Sequence, residues 1–411
     1  MDISPLRESR SFRLLFTGHL TSLLGSQLTI VAIAYQIYAL TGSSLWVGLA
    51  SLIQLPFLIW GSLWGGATSD RVDKRKVLAI GGAILSIFSA GLALNAQLSH
   101  PHLWIVIALS TLAAFGAGFV NPSRNASIPR LVRSDQLVAA YSINQVVIQI
   151  ATVVGPALSG LLVASSGVAA CYWIDVATFV VFSFVTLRMD ALPPSGETPK
   201  SAMLATRQGL TYLRSHRIAQ AVYVADLNAM IFGMPRALFP AVALTTFHGG
   251  PRLVGLLFAA PGAGALLGAL TTGWVEGVER RGRAVVYAVM AWGLAIAVFG
   301  LSHSVTLSLV ALAVAGWADV ISAVLRNAIL QSRISDEFRG RLSAIQMAVV
   351  TGGPRLGDLE AGAVASAESA SFSVISGGLA CVIGVGLMAM YYKSFWEERA
   401  SQAAVGGASD S

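Results

Sequence analysis

The sequence predicts an all-α membrane protein of twelve transmembrane helices, built as two six-helix repeats of the same orientation. Three observations predict it. The 411 residues are 55% hydrophobic and 11% charged, whereas a soluble domain carries about 25% charged residues, so most of the chain is solvated by lipid. Apolar runs of roughly 20 residues, the length that crosses a bilayer as a helix, recur from end to end. The cations gather in alternate connections between those runs.

In order, the expected spans cover approximately 14–40, 45–68, 77–98, 103–120, 138–163 and 169–187. After a linker they continue over 218–244, 253–275, 284–302, 305–325, 342–366 and 372–392. Each has a spanning length once tilt is allowed. The organisation is an N-terminal bundle over 1–187, a cytoplasmic linker over 188–217, a C-terminal bundle over 218–392 and a cytoplasmic tail over 393–411. Pro193-Pro194 and Pro199 break the linker. The polar start, MDISPLRESRSFR, leads into a long first span with no cleavage-site pattern, so no removable signal peptide is expected.

Both termini are expected in the cytoplasm of a multi-pass cell-membrane protein. With that orientation, of the 27 Lys and Arg only Arg252 falls in an external loop, and Arg236 and Arg355 fall inside spans. So one-sided a distribution follows the positive-inside rule. It also removes the nucleic-acid reading that a net charge of +7 invites. Cys171 and Cys381 lie in apolar segments, which reads as two free core thiols, with no metal-ligand spacing and no cofactor motif.

The chain repeats itself. Val47-Gly48-Leu49 returns as Val254-Gly255-Leu256, a shift of 207, and the same register pairs Gly61 with Gly268 and Gly66 with Gly273. Arg124-Asn125-Ala126 returns as Arg326-Asn327-Ala328, a shift of 202. These matches mark one six-helix unit used twice.

The connection between the second and third spans reads Gly65-Gly66-Ala67-Thr68-Ser69-Asp70-Arg71-Val72-Asp73-Lys74-Arg75-Lys76. Glycines permit close helix approach, and an acid beside them can bind a neighbouring helix N-terminus or a cation. The stretch resembles the signature loop of major facilitator superfamily transporters, Gly-x-x-x-Asp-Arg-x-Gly-Arg-Arg. Gly66, Asp70, Arg71, Lys74 and Arg75 match, and Asp73 stands at the second glycine. In the fifth span, Gly155-Pro156-Ala157-Leu158-Ser159-Gly160 is similar to the Gly-Pro-x-x-Gly-Gly motif of exporters in that superfamily; it also reads as an ordinary kinked packing helix. Asn121-Pro122-Ser123-Arg124-Asn125-Ala126-Ser127-Ile128-Pro129 and the stretch Leu330 to Arg341 resemble the drug:proton antiporter branch that includes the enterobactin exporter. The fourth span lacks the membrane-embedded Arg of many proton-coupled antiporters.

Charges inside spans are expensive and mark function by default. The acids are Asp175, Asp226, Asp319, Asp358 and Glu360; the cations are Arg236 and Arg355. Asp226 and Arg236, about 15 Å apart along a straight helix, cannot pair. Arg355 and Asp358 share a helix face and form either a self-neutralising pair or part of a site. Asp226 and Glu360 are left as the least paired acids and, with Asp358, as candidate proton carriers. Pro354 and Gly357 are expected to loosen the helix that holds them. Asp319 with Arg326 reads as a cytoplasmic gate or a solvated acid, and Asp175 as an interhelical hydrogen-bond acceptor. In the N-terminal half, Gln27, Gln36, Gln54, Asn144, Gln145 and Gln149 with Tyr35, Tyr38, Trp60 and Trp64 read as a wall for an amphipathic ligand or as interhelical polar glue. Arg236 and Arg355 complete the substrate-cavity candidates, and Gly66, Asp70, Arg71, Arg75, Gly155, Pro156, Asp319 and Arg326 the gating set. His19 is either a titrating group or a hydrogen-bonding residue near a helix end.

The expected function is export of an amphipathic drug, antibiotic or siderophore in exchange for protons, by a monomer with alternating access. The excess of intramembrane acids favours a neutral or cationic molecule. The alternatives are a transporter-like sensor or scaffold without turnover and an uncoupled facilitator. An enzyme is not expected, because no HExxH, Gly-x-Ser-x-Gly or phosphate-binding loop is present.

Overall fold

The computed structural model describes residues 2–194, 211–333 and 336–399; the linker stretch 195–210 and the tail from 400 lie outside the described residues. All regular structure among the described residues is helical. The long helices are α1 (Arg10–Thr41), α2 (Ser44–Ser69), α3 (Lys74–Ala96), α4 (Leu103–Leu131), α5 (Leu137–Ser166) and α6 (Val168–Leu187). They continue as α7 (Arg217–Phe232), α8 (Pro251–Thr271), α9 (Arg281–Leu301), α10 (Val305–Arg333), α11 (Asp336–Ala367) and α12 (Ala370–Tyr391).

Eleven helices among the described residues are long and apolar enough to cross a membrane. The expected span at 342–366 lies in α11, which is long but outside that set. Arg355, Asp358 and Glu360 interrupt its apolar run. Pro354 does not break α11, which runs unbroken through it.

Two other boundaries differ. The fourth and tenth helices continue to Leu131 and Arg333, about two to three turns beyond the expected ends, so Arg124 and Arg326 are helical rather than loop residues. Conversely, the seventh span is not one straight helix. α7 stops at Phe232, and after Gly233-Met234-Pro235 the chain forms a 3-10 turn (Arg236–Leu238), an α turn (Phe239–Ala241) and a π stretch (Val242–Thr246). Pro235 lacks an N–H and disfavours the α conformation in the residue before it, which stops α7 from continuing.

The chain clusters into two compact units, Met1–Pro199 with Arg236–Ala259, and Lys200–Pro235 with Ala260–Ser411. In the first, α2 packs on α4, and α6 on α1 and α3. Gly61 and Gly118 let the α2 and α4 backbones touch, since a Cβ on either would collide with the other helix's main chain. Gly66, expected to serve such a contact, faces open space. Trp60 and Trp64, expected in a ligand wall, stack on each other at 6.3 Å and pack against Phe115 on an exposed face. In the second unit, α9 packs on α10 and α12, and α7 on α11 and α12.

Candidate functional site

The second unit buries an ion pair. Arg326 of α10 places Nη2 2.8 Å from Asp226 Oδ1 of α7, and their side chains are 5% and 1% exposed. Gln346 of α11 donates Nε2 to the other carboxylate oxygen at 3.0 Å. Arg326 also donates Nη1 to Ser322 Oγ at 2.7 Å, and Asp319 lies 4.0 Å away on the solvent side. Asp226 is therefore a paired acid, contrary to expectation. Its partner was hidden because the sequence reading ended the tenth helix before Arg326.

The first unit carries a cluster on the matching helices. Arg124 Nη1 of α4 lies 3.1 Å from His19 Nδ1 of α1. His19 is buried, and both His19 Nε2 and Arg124 Nε are enclosed without a partner. Asn144 of α5 joins them in lining a small cavity of about 10 Å³, walled by Phe12, Leu15, Phe16 and Ile128.

The loop after α2 is tied down, but not by Asp70. Asp70 caps the end of α2 with its backbone, and among the described residues its carboxylate acts on Lys74 through charge alone, with no hydrogen bond or close ion pair; Arg71 is exposed. Asp73 does the holding: its carboxylate accepts from Arg75 N at 2.9 Å and Leu192 N at 3.1 Å and pairs with Arg75 at 3.5 Å. Arg75 reaches the Met189 carbonyl at 3.2 Å, and buried Lys74 donates Nζ to the Ser69 carbonyl at 3.0 Å. The motif's departure from glycine thus supplies an N-cap for α3 and a strap to the segment after α6.

The remaining candidates scatter. Gln36 accepts from Tyr172 Oη at 2.7 Å and Gln54 donates to Ser110 Oγ at 3.3 Å, which makes both interhelical glue. Gln27 packs against Gly155, Ser159 donates to the Leu28 carbonyl at 2.9 Å, and a Cβ on Gly255 would stand 2.5 Å from the Pro156 carbonyl oxygen. Gln145 and Arg236 are exposed. Arg355 donates to the Thr351 carbonyl at 2.9 Å; Asp358 is half-buried on the same helix, and half-buried Glu360 has no partner among the described residues. Asp175 is an interhelical acceptor as expected, bonded by Thr29 at 2.9 Å and Ser89 at 2.7 Å.

Sequence reasoning missed Gln346 and the joining of His19 to Arg124. A signal existed. The shift of 202 that pairs Arg124 with Arg326 also pairs Asn144 with Gln346, and the shift of 207 pairs His19 with Asp226.

A family model described as transmembrane secretion effector matches residues 1–405. The chain is 30% identical to the enterobactin exporter EntS of Citrobacter koseri over 396 residues, 94% of each chain. It is 28% identical to the protein of that name from Escherichia coli over 395 residues, 94% of this chain and 93% of the relative. Two solved structures share the fold. The nucleoside transporter NupG superposes with a TM-score of 0.73 at 14% identity, over 93% of this chain and 98% of the other. A bacterial homolog of the human lysosomal transporter Spinster superposes with a TM-score of 0.72 at 15% identity, over 96% of this chain and 100% of the other. Matched from residue 1 to 405, the chain belongs to the transmembrane secretion effectors, a family of major facilitator superfamily transporters.

Proposed function

We propose that this chain exports an amphipathic small molecule, a drug, antibiotic or siderophore, across the cell membrane in exchange for protons, by alternating access. In this reading α11 also spans the membrane, which brings the count to twelve, the bundles 1–187 and 218–392 are two parallel repeats, the protein works as a monomer and both termini are cytoplasmic. The similarity to enterobactin exporters supports export of a small molecule. The observation that carries the coupling is the buried Asp226–Arg326 pair bridged to α11 by Gln346. It ties three helices with one removable charge. Protonation of Asp226 frees Arg326, and the helices α7, α10 and α11 lose their shared tie; deprotonation restores it. Glu360 is the second proton-carrier candidate, and Asp358 the third. Gly66, Asp70, Arg71 and Arg75 act as the cytoplasmic latch, Asp319 and Arg326 as its counterpart, and Gly155-Pro156 as a pivot of α5.

Everted vesicles test the proposal. Growth with and without the protein on dyes, antibiotics and siderophores identifies a substrate, and vesicles then accumulate it when their interior is acidified. Asp226→Asn abolishes gradient-driven uptake and leaves substrate exchange intact, with Glu360→Gln next in effect. Uptake indifferent to a protonophore would replace the antiporter with a facilitator.

A further inference from the structure

We infer that His19, Arg124 and Asn144 form a binding site for one anionic oxygen, a carboxylate or phenolate, of the transported molecule. The proposal rests on the export reading above and names the substrate class. The shifts of 207 and 202 place His19 where the second unit has Asp226, Arg124 where it has Arg326, and Asn144 where it has Gln346. In the second unit the guanidinium meets a carboxylate of the protein itself. In the first the matching residue is an imidazole, and among the described residues no acid pairs with Arg124. A cation enclosed without a counter-charge is unfavourable, so the position favours an anion from outside.

The hydrogen-bond pattern gives the same polarity. Arginine has donors and no acceptor, so the 3.1 Å contact makes His19 Nδ1 the acceptor. The imidazole proton then sits on Nε2, which is enclosed and has no acceptor of its own; Arg124 Nε is in the same state. Both residues line the cavity with Asn144. The residues that line the cavity therefore hold unused N–H donors and no fixed negative charge, the donor set that a carboxylate or phenolate oxygen satisfies. Its unobstructed space of about 10 Å³ takes a body the size of one water, hence one oxygen rather than a whole phosphate. Phe12, Phe16 and Ile128 supply apolar wall for the rest of the molecule.

Thermal unfolding of the purified full chain in a non-ionic detergent tests this. Millimolar benzoate is expected to raise the wild-type midpoint by about 3 °C. Benzamide, its neutral isostere, is expected to do nothing. Arg124→Gln loses the benzoate response. His19→Asp copies the second unit's acid onto the first; it is expected to raise the midpoint without ligand and to abolish the response. No wild-type response to benzoate, an equal response in Arg124→Gln, or a response to inorganic phosphate with none to benzoate would each overturn the assignment. Binding in detergent needs no transport, so the two readings fail separately. A benzoate response in a protein that exports nothing refutes export and keeps the site. Proton-driven export without any benzoate response does the reverse.

Discussion

The two polar clusters occupy matching positions on matching helices and differ in one respect, the group facing the arginine. In the second unit a carboxylate closes the charge account at 2.8 Å; in the first an imidazole accepts one hydrogen bond and, among the described residues, no acid matches the guanidinium's charge. The difference teaches that positions paired by a sequence shift need not carry the same chemistry. One copy is a self-contained ion pair, and the other is a cation with unused donors beside a small cavity.

The largest expected effect breaks the self-contained copy. Arg326→Gln strands the Asp226 carboxylate in a buried position and is expected to cost about 3–5 kcal/mol, read as a lowered unfolding midpoint in detergent. Adding Asp226→Asn to Arg326→Gln removes the stranded charge and recovers most of that loss. A silent single substitution would mean that the pair contributes nothing to holding α7 against α10.

A smaller effect compares the starts of α3 and α9. Asp73 caps α3 and straps Leu192, whereas Arg280, at the matching position, caps α9 with no side-chain bond. Asp73→Gly is expected to destabilise by about 1 kcal/mol, and Arg280→Gly to stay within about 0.5 kcal/mol. Equal midpoint shifts in the two variants would show that the strap is not what Asp73 contributes.

The smallest effect sharpens the contrast. Arg124→Gln removes a charge that no acid among the described residues balances, so its cost in stability should stay below about 1 kcal/mol. A loss as large as that of Arg326→Gln, in the same melting assay, would reveal a counter-charge in the first unit and erase the difference.

Much of the fold was legible because apolar runs of spanning length are a direct record of lipid contact. That record ends at the membrane surface. Where α4 and α10 run on through polar sequence, hydropathy gave no cue, and Arg124 and Arg326 were read as loop. The same error hid the partner of Asp226. α11 was legible as a span over 342–366 although Arg355, Asp358 and Glu360 lower its apolarity, and the helix itself is 32 residues long. Asp175 was legible as an acceptor because a buried carboxylate without a cation must be met by hydroxyls, here Thr29 and Ser89. Gln36 and Gln54 could not be assigned from sequence, because a glutamine's type does not say whether it faces a neighbour or a cavity. Asp73 read as a departure from a motif; its work depends on Leu192, more than a hundred residues away.

The break after α7 reaches well beyond Gly233-Met234-Pro235. Trp292 donates its indole N–H to the Gly233 carbonyl at 2.8 Å, and the last carbonyls of α7, at Met230, Ile231 and Phe232, abut Gly357 of α11 and Gly377 of α12 so closely that a Cβ at either glycine would stand 2.5–2.7 Å from them. The discontinuity is thus written into four helices at once. In evolutionary terms, its unit of inheritance is the set 233, 292, 357 and 377. A lineage that adds a side chain at 357 or 377 must straighten or displace the end of α7 in the same step, so these positions should drift together rather than one at a time.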